Sequence, residues 1–352
     1  MSATKIRPAW HAGSVLPSTI AATDYHTGGE PFRIVADPPV PIPGRTVAER
    51  RAKAIEDPAV QGLRSVLCFE PRGHADMYGG FIVPPDDDGA DLGVLFWHKD
   101  GFSTACGHGT IALGAWAVET GRVAAPETGS ADVVIDVPSG RVTARVHRED
   151  ARVVAVDFVN VASWVVARDV PVTTSRGGVH VTVAYGGAIY ATLPAVQLGL
   201  AVTPEHLGDL IALGREIKWA LNDTEQAVHP TDPRLNGIYG TIWFDDLGAA
   251  AGHVHQRNVT VFADGEVDRS PCGSGTCARL AVLAADGRLP AGTVLRHESI
   301  VGSTFTGTVL DTVGVDGRPA VIPQVTGMAY RTGEHVFSID PDDPLVPGFV
   351  LR

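Results

Sequence analysis

Ser103-Thr104-Ala105-Cys106-Gly107-His108-Gly109-Thr110 and Ser270-Pro271-Cys272-Gly273-Ser274-Gly275-Thr276 are two copies of one pattern, a cysteine and Gly-x-Gly-Thr at the head of an apolar run. The first run ends at Gly121-Arg122 and the second at Gly287-Arg288. Cys106 and Cys272 stand 166 positions apart, as do Arg122 and Arg288. Ala112 coincides with Ala278 and Ala115 with Ala281. A cysteine opening a helix, present twice, predicts two thiols facing one another across a pseudo-twofold axis.

Outward from these motifs the same plan recurs in the same order, the signature of a duplication. Residues 19–35, TIAATDYHTGGEPFRIV, read as strand, Gly28-Gly29 turn and strand. Tyr185-Gly186-Gly187-Ala188-Ile189-Tyr190 answers Thr27-Gly28-Gly29-Glu30-Pro31-Phe32. Thr46 caps the helical pattern VAERRAKAIED, and Thr203-Pro204-Glu205 opens an amphipathic helix to about Leu221. Residues 65–70, 77–83 and 92–98 read as strands leading to Cys106, with Cys68 a small buried hydrophobe in the first of them. Cys277, whose repeat partner is Ile111, reads the same way. Ile238-Tyr239-Gly240-Thr241-Ile242 answers Met77-Tyr78-Gly79-Gly80-Phe81, and residues 305–309 answer 142–146. The prediction is an α/β protein of two similar mixed domains, residues 18–167 and 168–340, each with a sheet around a central helix. The site lies in the cleft between them. Residues 341–352 return to the first domain, and residues 1–17 read as a loose leader.

Composition fits two domains. The chain has 352 residues, 44% of them hydrophobic and 19% charged, and its 40 Gly and 25 Pro favour strands and turns over a helical bundle. A net charge of −12 argues against a nucleic-acid partner, which needs clustered Lys and Arg. No apolar run reaches the ~18 residues of a membrane span, and no signal peptide is evident. Four cysteines without CxxC spacing form neither a zinc pattern nor a disulfide scaffold, so the expected location is a reducing cytoplasm. A homodimer is admitted, though no sequence signature calls for one.

A helix N-terminus carries unpaired N–H groups and the positive end of the macrodipole, which lowers a thiol's pKa and binds carboxylates. Two such ends in one cleft suit proton abstraction α to a carboxylate: one thiolate takes the proton and the opposed thiol returns another to the other face. His108 would donate to the substrate. Asp268 would take a cationic amine, and Phe102, its counterpart in the first copy, would pack a ring. Tyr78 and Tyr239 occupy equivalent places. The Cys106-x-His108 spacing is poor for a base that must reach the sulfur, which argues against a thiol protease. His253 and His255 lack further ligand spacing for a metal. Gly107-x-Gly109 is not a dinucleotide fingerprint.

At these residues the sequence resembles the proline racemase family, which includes proline racemase, 4-hydroxyproline 2-epimerase and trans-3-hydroxy-L-proline dehydratase. HTGGEP at 26–31, MYGGF at 77–81, CGHGT at 106–110 and DRSPCGSGT at 268–276 carry the resemblance. It implies the diaminopimelate-epimerase-like fold and chemistry with no cofactor, neither pyridoxal phosphate nor metal. It also implies Cys106 and Cys272 as the catalytic thiols, Gly107, His108, Gly109, Gly273 and Ser274 around the carboxylate, and Asp268 with His108 at the ring nitrogen. Dehydratase members typically carry Thr where Cys272 stands, so two cysteines favour inversion. IALGAWAVETG and IYGTI look closer to the dehydratase branch, and Ala105 stands where many members have Met. The expected activity is epimerisation at Cα of a free cyclic imino acid, 4-hydroxyproline first and proline second. Dehydration of trans-3-hydroxy-L-proline is the alternative enzyme, and a non-catalytic imino-acid-binding protein the alternative from another class.

Overall fold

A computed structural model describes residues 16–250, 252–290 and 292–351, so the leader expected over residues 1–17 lies almost wholly outside the described residues. Strand pairing runs in two matching series. In the first, Ala329–Ser338, Thr19–Thr27 and Glu30–Val35 pair antiparallel in turn, and Gly79–Val83 joins parallel to Glu30–Val35. Leu92–His98 is antiparallel to that strand, Gly129–Val137 parallel to Leu92–His98, and Gly140–Glu149 and Arg152–Val159 follow antiparallel.

The second series repeats these parallel and antiparallel steps one for one. Its strands are Trp164–Thr174, Gly177–Tyr185, Ile189–Pro194, Ile238–Ala250, His253–Phe262, Val294–Ser299, Thr304–Val315 and Arg318–Gly327. Arg152–Val159 pairs with Arg318–Gly327 and joins the two. The halves differ in where their opening strand comes from. The second half takes its own from the adjacent Trp164–Thr174, whereas the first takes Ala329–Ser338 from the far end of the chain. Phe349 bridges to Glu70 and fastens the last residues to the same half.

Among the described residues five α-helices fill in the architecture: α1 (Val47–Glu56), α2 (Pro58–Cys68), α3 (Gly107–Glu119), α4 (Leu207–Asn222) and α5 (Gly273–Ala285). Every residue of α3 from Gly107 to Val118 and of α5 from Gly273 to Leu283 is buried, as helices that are mostly apolar or small all round are; the exception in α5, Arg279, bonds Gln256. The first packs against strands of the first series and the second against strands of the second. Thr46 caps α1 through its hydroxyl, at 3.1 Å from the Glu49 N–H.

Residues 65–70, expected as a strand, are mostly the last turn of α2. Asp57-Pro58 is the start signal that decides this: the Asp57 carboxylate accepts the Ala59 N–H at 2.8 Å, and proline suits the first helical position. Cys68 is therefore helical, with its thiol 3.4 Å from the Met77 carbonyl and pushed up by burial. Cys277 is buried in α5 and pushed up to about 12 for the same reason. Among the described residues no helix is long and apolar enough to cross a membrane.

Candidate active site

Cys106 is the N-cap of α3 and Cys272 the N-cap of α5. Each sulfur accepts the N–H three residues on, from Gly109 at 3.2 Å and from Gly275 at 3.3 Å, in the role a serine or aspartate oxygen plays in an ordinary cap. The threonine of each motif bonds backwards: Thr110 Oγ1 donates to the Cys106 carbonyl at 2.7 Å and Thr276 Oγ1 to the Pro271 carbonyl at 3.0 Å. The glycines leave room. A Cβ on Gly107 would lie 2.5 Å from Gly273 Cα, and one on Gly273 equally close to Gly107 Cα, so the helices meet end to end, glycine on glycine. Cys272 has a positive φ of 60°, a conformation that costs a non-glycine residue about 1–3 kcal/mol and that functional sites retain.

Between the helix ends lies a small cavity of about 10 Å³, room for hardly more than one water. Cys106, Gly107 and His108 line it from one side and Cys272, Gly273 and Ser274 from the other, with Asp268 beside them. Gly109 is off the cavity wall and serves the sulfur of Cys106. An aromatic wall of Tyr78, Tyr190, Tyr239 and Phe262 completes it. The Tyr78 and Tyr239 hydroxyls lie 3.0 Å apart, and Tyr78 also hydrogen-bonds Ser103.

Phe102 is not part of this wall. It ends a short strand paired to Trp97, and its ring packs into the core against Phe81 at a centroid distance of 6.3 Å. Tyr190 and Phe262 are the lining aromatics that sequence reasoning missed. Tyr190 had a signal: in the repeat it answers Phe32, whose ring stands edge-on to His108 at 5.8 Å.

Burial pushes both thiols well above their ordinary value. At Cys106 the Gly109 N–H opposes this and the Asp268 and Cys272 charges add to it. At Cys272 the Asp268 charge adds, while the Thr260 hydroxyl and Gly275 N–H oppose. The lowering expected from the helix ends is thus outweighed by burial, and both sulfurs hold their protons there. Burial pushes Asp268 up to about 6, against the Ser270 hydroxyl at 2.7 Å and N–H at 2.8 Å. Burial, with the Arg269 charge, holds His108 down to about 3, so its ring is neutral at pH 7.

His108 Nδ1 lies 3.4 Å from the Cys106 sulfur and 4.0 Å from Asp268 Oδ2. The spacing argument against such a contact fails because side chains in the first turn lean back toward the helix N-terminus. Ser274 Oγ is buried and has no hydrogen-bond partner among the described residues, next to the unused N–H groups of α5. A carboxylate oxygen would satisfy both.

For a metal, His98, Asp100 and Glu266 offer ligand atoms within 4.8 Å of one another. The Lys99 ammonium already sits there, 2.7 Å from Asp100 and 3.8 Å from Glu266. His255 instead pairs with Glu298 at 3.0 Å.

A family model described as proline racemase matches residues 22–350. The chain belongs to the proline racemase family. A trans-3-hydroxy-L-proline dehydratase of Burkholderia cenocepacia is 46% identical over 341 residues, covering 95% of this chain and 98% of that protein. A 3-hydroxyproline 2-epimerase of Burkholderia multivorans is 44% identical, with coverage of 95% and 98%. A crystal structure of a hydroxyproline epimerase from Agrobacterium vitis, with bound trans-4-hydroxy-L-proline, superposes with a TM-score of 0.88 at 32% identity, over 95% of this chain and 96% of that one. The fold is accordingly the mixed α/β, diaminopimelate-epimerase-like one of proline racemase family members.

Proposed function

We propose that this protein inverts Cα of a free ring-hydroxylated proline, using Cys106 and Cys272 as a pair of acid/base thiols. What carries this is their geometry: two sulfurs, each capping a buried helix, line one cavity in which the helix ends meet. The substrate carboxylate takes the α3 and α5 N–H groups and the Ser274 hydroxyl, and the ring nitrogen takes Asp268 and His108. One sulfur, as thiolate, removes the Cα proton. The charge that develops on the carboxylate is held by the helix ends. The other sulfur, as thiol, protonates the opposite face, leaving the two protonation states exchanged. A thiol raised by burial releases its proton to solvent as the substrate enters, because the substrate's ammonium beside it offsets the new charge.

The names of the 44% and 46% identical relatives favour a hydroxyl on C3, ahead of the C4 isomer seen in the Agrobacterium vitis structure. With the hydroxyl on C3 the same carbanion has a second fate. Loss of the C3 hydroxide, which leaves as water with an added proton, gives the 2,3-unsaturated ring. Inversion and dehydration thus part only after the first step. Cys272 supports inversion, since it supplies the second proton; the relatives named dehydratase support elimination as the second reading.

Incubation of trans-3-hydroxy-L-proline in D2O tests this. An epimerase incorporates deuterium at Cα and accumulates the D-epimer; consumption to an imine with no D-epimer refutes inversion in favour of the lyase. Cys272→Ser separates the two further, because inversion falls by about 10³-fold or more, on the scale of general acid–base catalysis, whereas a one-thiol elimination keeps substantial rate.

A further inference from the structure

The thiol cavity is far too small to receive a ring, yet a second cavity of about 420 Å³ lies against it between the two halves, and Tyr239 lines both. Ser103, the hydrogen-bond partner of Tyr78, lines it as well, so the hydroxyls of Tyr78, Tyr239 and Ser103 form the partition. The size is that of a ligand pocket.

Its charges do not cancel. Asp100 is neutralised by Lys99 at 2.7 Å and Asp264 by Arg215 at 2.7 Å. His98 and Glu266 form one hydrogen-bonded pair at 3.0 Å, which burial keeps neutral, the histidine held down to about 3 and the glutamate pushed well up. Arg51 and Lys218 remain. The Arg51 guanidinium is held by carbonyls, Phe102 O at 2.7 and 2.9 Å and Arg234 O at 3.1 Å. The Lys218 ammonium donates to the Ala263 carbonyl and stands 4.3 Å over the Trp219 ring. Neither forms an ion pair among the described residues. Asp100 and Asp264 share the wall but are engaged by Lys99 and Arg215, so Arg51 and Lys218 are left as cations with no carboxylate partner of their own among the described residues, an arrangement that favours an anion.

We infer that the outer cavity is a staging site for the free imino acid, whose carboxylate Arg51 and Lys218 hold before it crosses the Tyr239 partition and again as product leaves. The identity of the acid rests on the proposed function; the carboxylate site itself does not. The helix ends then outcompete the two cations by offering several aligned donors at once.

Three measurements test this. In the wild type, kcat/KM for trans-3-hydroxy-L-proline falls as ionic strength rises. In Lys218→Met and in Arg51→Gln it falls about fivefold, as expected for one screened charge near the ligand, through KM with kcat retained, and the salt dependence flattens. In a Cys106→Ala/Cys272→Ala protein, titration with trans-3-hydroxy-L-proline changes the Trp219 fluorescence, a signal absent after Trp219→Phe and weakened by Lys218→Met. Cα exchange in D2O with KM and salt dependence untouched in both variants overturns the staging site, as does a loss confined to kcat. A wild type that exchanges no deuterium, while the thiol-free protein still binds with a Lys218-dependent Trp219 signal, overturns the epimerase reading and leaves the carboxylate site standing.

Discussion

Gly107→Ala probes the end-to-end meeting of the two helices directly. The added Cβ falls 2.5 Å from Gly273 Cα, where non-bonded carbons settle at about 3.5 Å or more. The atom it meets is backbone, so no side chain can swing away, and the helix ends must separate by about 1 Å. Overpacking of this kind costs about 1–3 kcal/mol of stability. The larger effect is on rate. The two sulfurs ride on the helices that are forced apart, and a displacement of about 1 Å between reacting groups costs on the order of 10²-fold. The assay is Cα deuterium incorporation at saturating substrate, alongside thermal unfolding. Gly208→Ala in α4 is the matched control: its Cβ meets nothing within 4 Å, and it stabilises by about 0.4–1 kcal/mol with no change in rate. If Gly107→Ala keeps its rate within threefold and its melting temperature within a degree, the helix ends do not abut as described.

Asp268→Asn changes the pH dependence of stability with a definite sign. Because the folded carboxyl is pushed up to about 6 from an ordinary 3.8, the folded state binds the extra proton between those values. Wild-type stability from this group therefore falls as pH rises through that window, by up to about 3 kcal/mol. The asparagine variant, compared with wild type by denaturant unfolding, is no more stable at pH 4 and gains at pH 8, while losing catalysis; equal differences at both pH values refute the burial assignment. Ser274→Ala removes a hydroxyl that has no partner among the described residues, so unfolding is unchanged within about 0.5 kcal/mol while KM rises about fivefold for one lost ligand hydrogen bond. A loss of stability without a change in KM would give Ser274 a structural role instead.

Much of the fold could be read because the two copies are alike where packing leaves no room. A thiol that caps a helix needs its glycines: Gly109 and Gly275 have no space for a Cβ, and Gly107 and Gly273 touch one another, so Cys-Gly-x-Gly-Thr survives in both halves. The Thr19–Val35 hairpin, the Thr46 cap and the strands flanking the motifs announced themselves through local turn and cap chemistry. What escaped was non-local or hidden by a mixed signal. The unbroken apolar run at 66–69 is short enough to pass for a buried strand, and only Asp57-Pro58, several residues upstream, marks it as helix. Phe102 was paired with Asp268 by the repeat offset, but its strand turns the ring into the core near α1, and no offset encodes that. The thiol pKa was misjudged for a similar reason. A helix end is visible in sequence, whereas the burial that outweighs it depends on walls contributed by Tyr78, Tyr190, Tyr239 and Phe262, drawn from both halves.

The strand Ala329–Ser338, lying along Thr19–Thr27, has a consequence for how the molecule is made. Elongation delivers the first half's other strands early and its outermost strand last, after every strand of the second half has emerged. Residues 164–327 can assemble a complete strand series while the older half still lacks its outermost member. The half synthesised first is thus the half completed last: a chain cut just after Gly327 would hold every strand of the second series beside an open-edged first half.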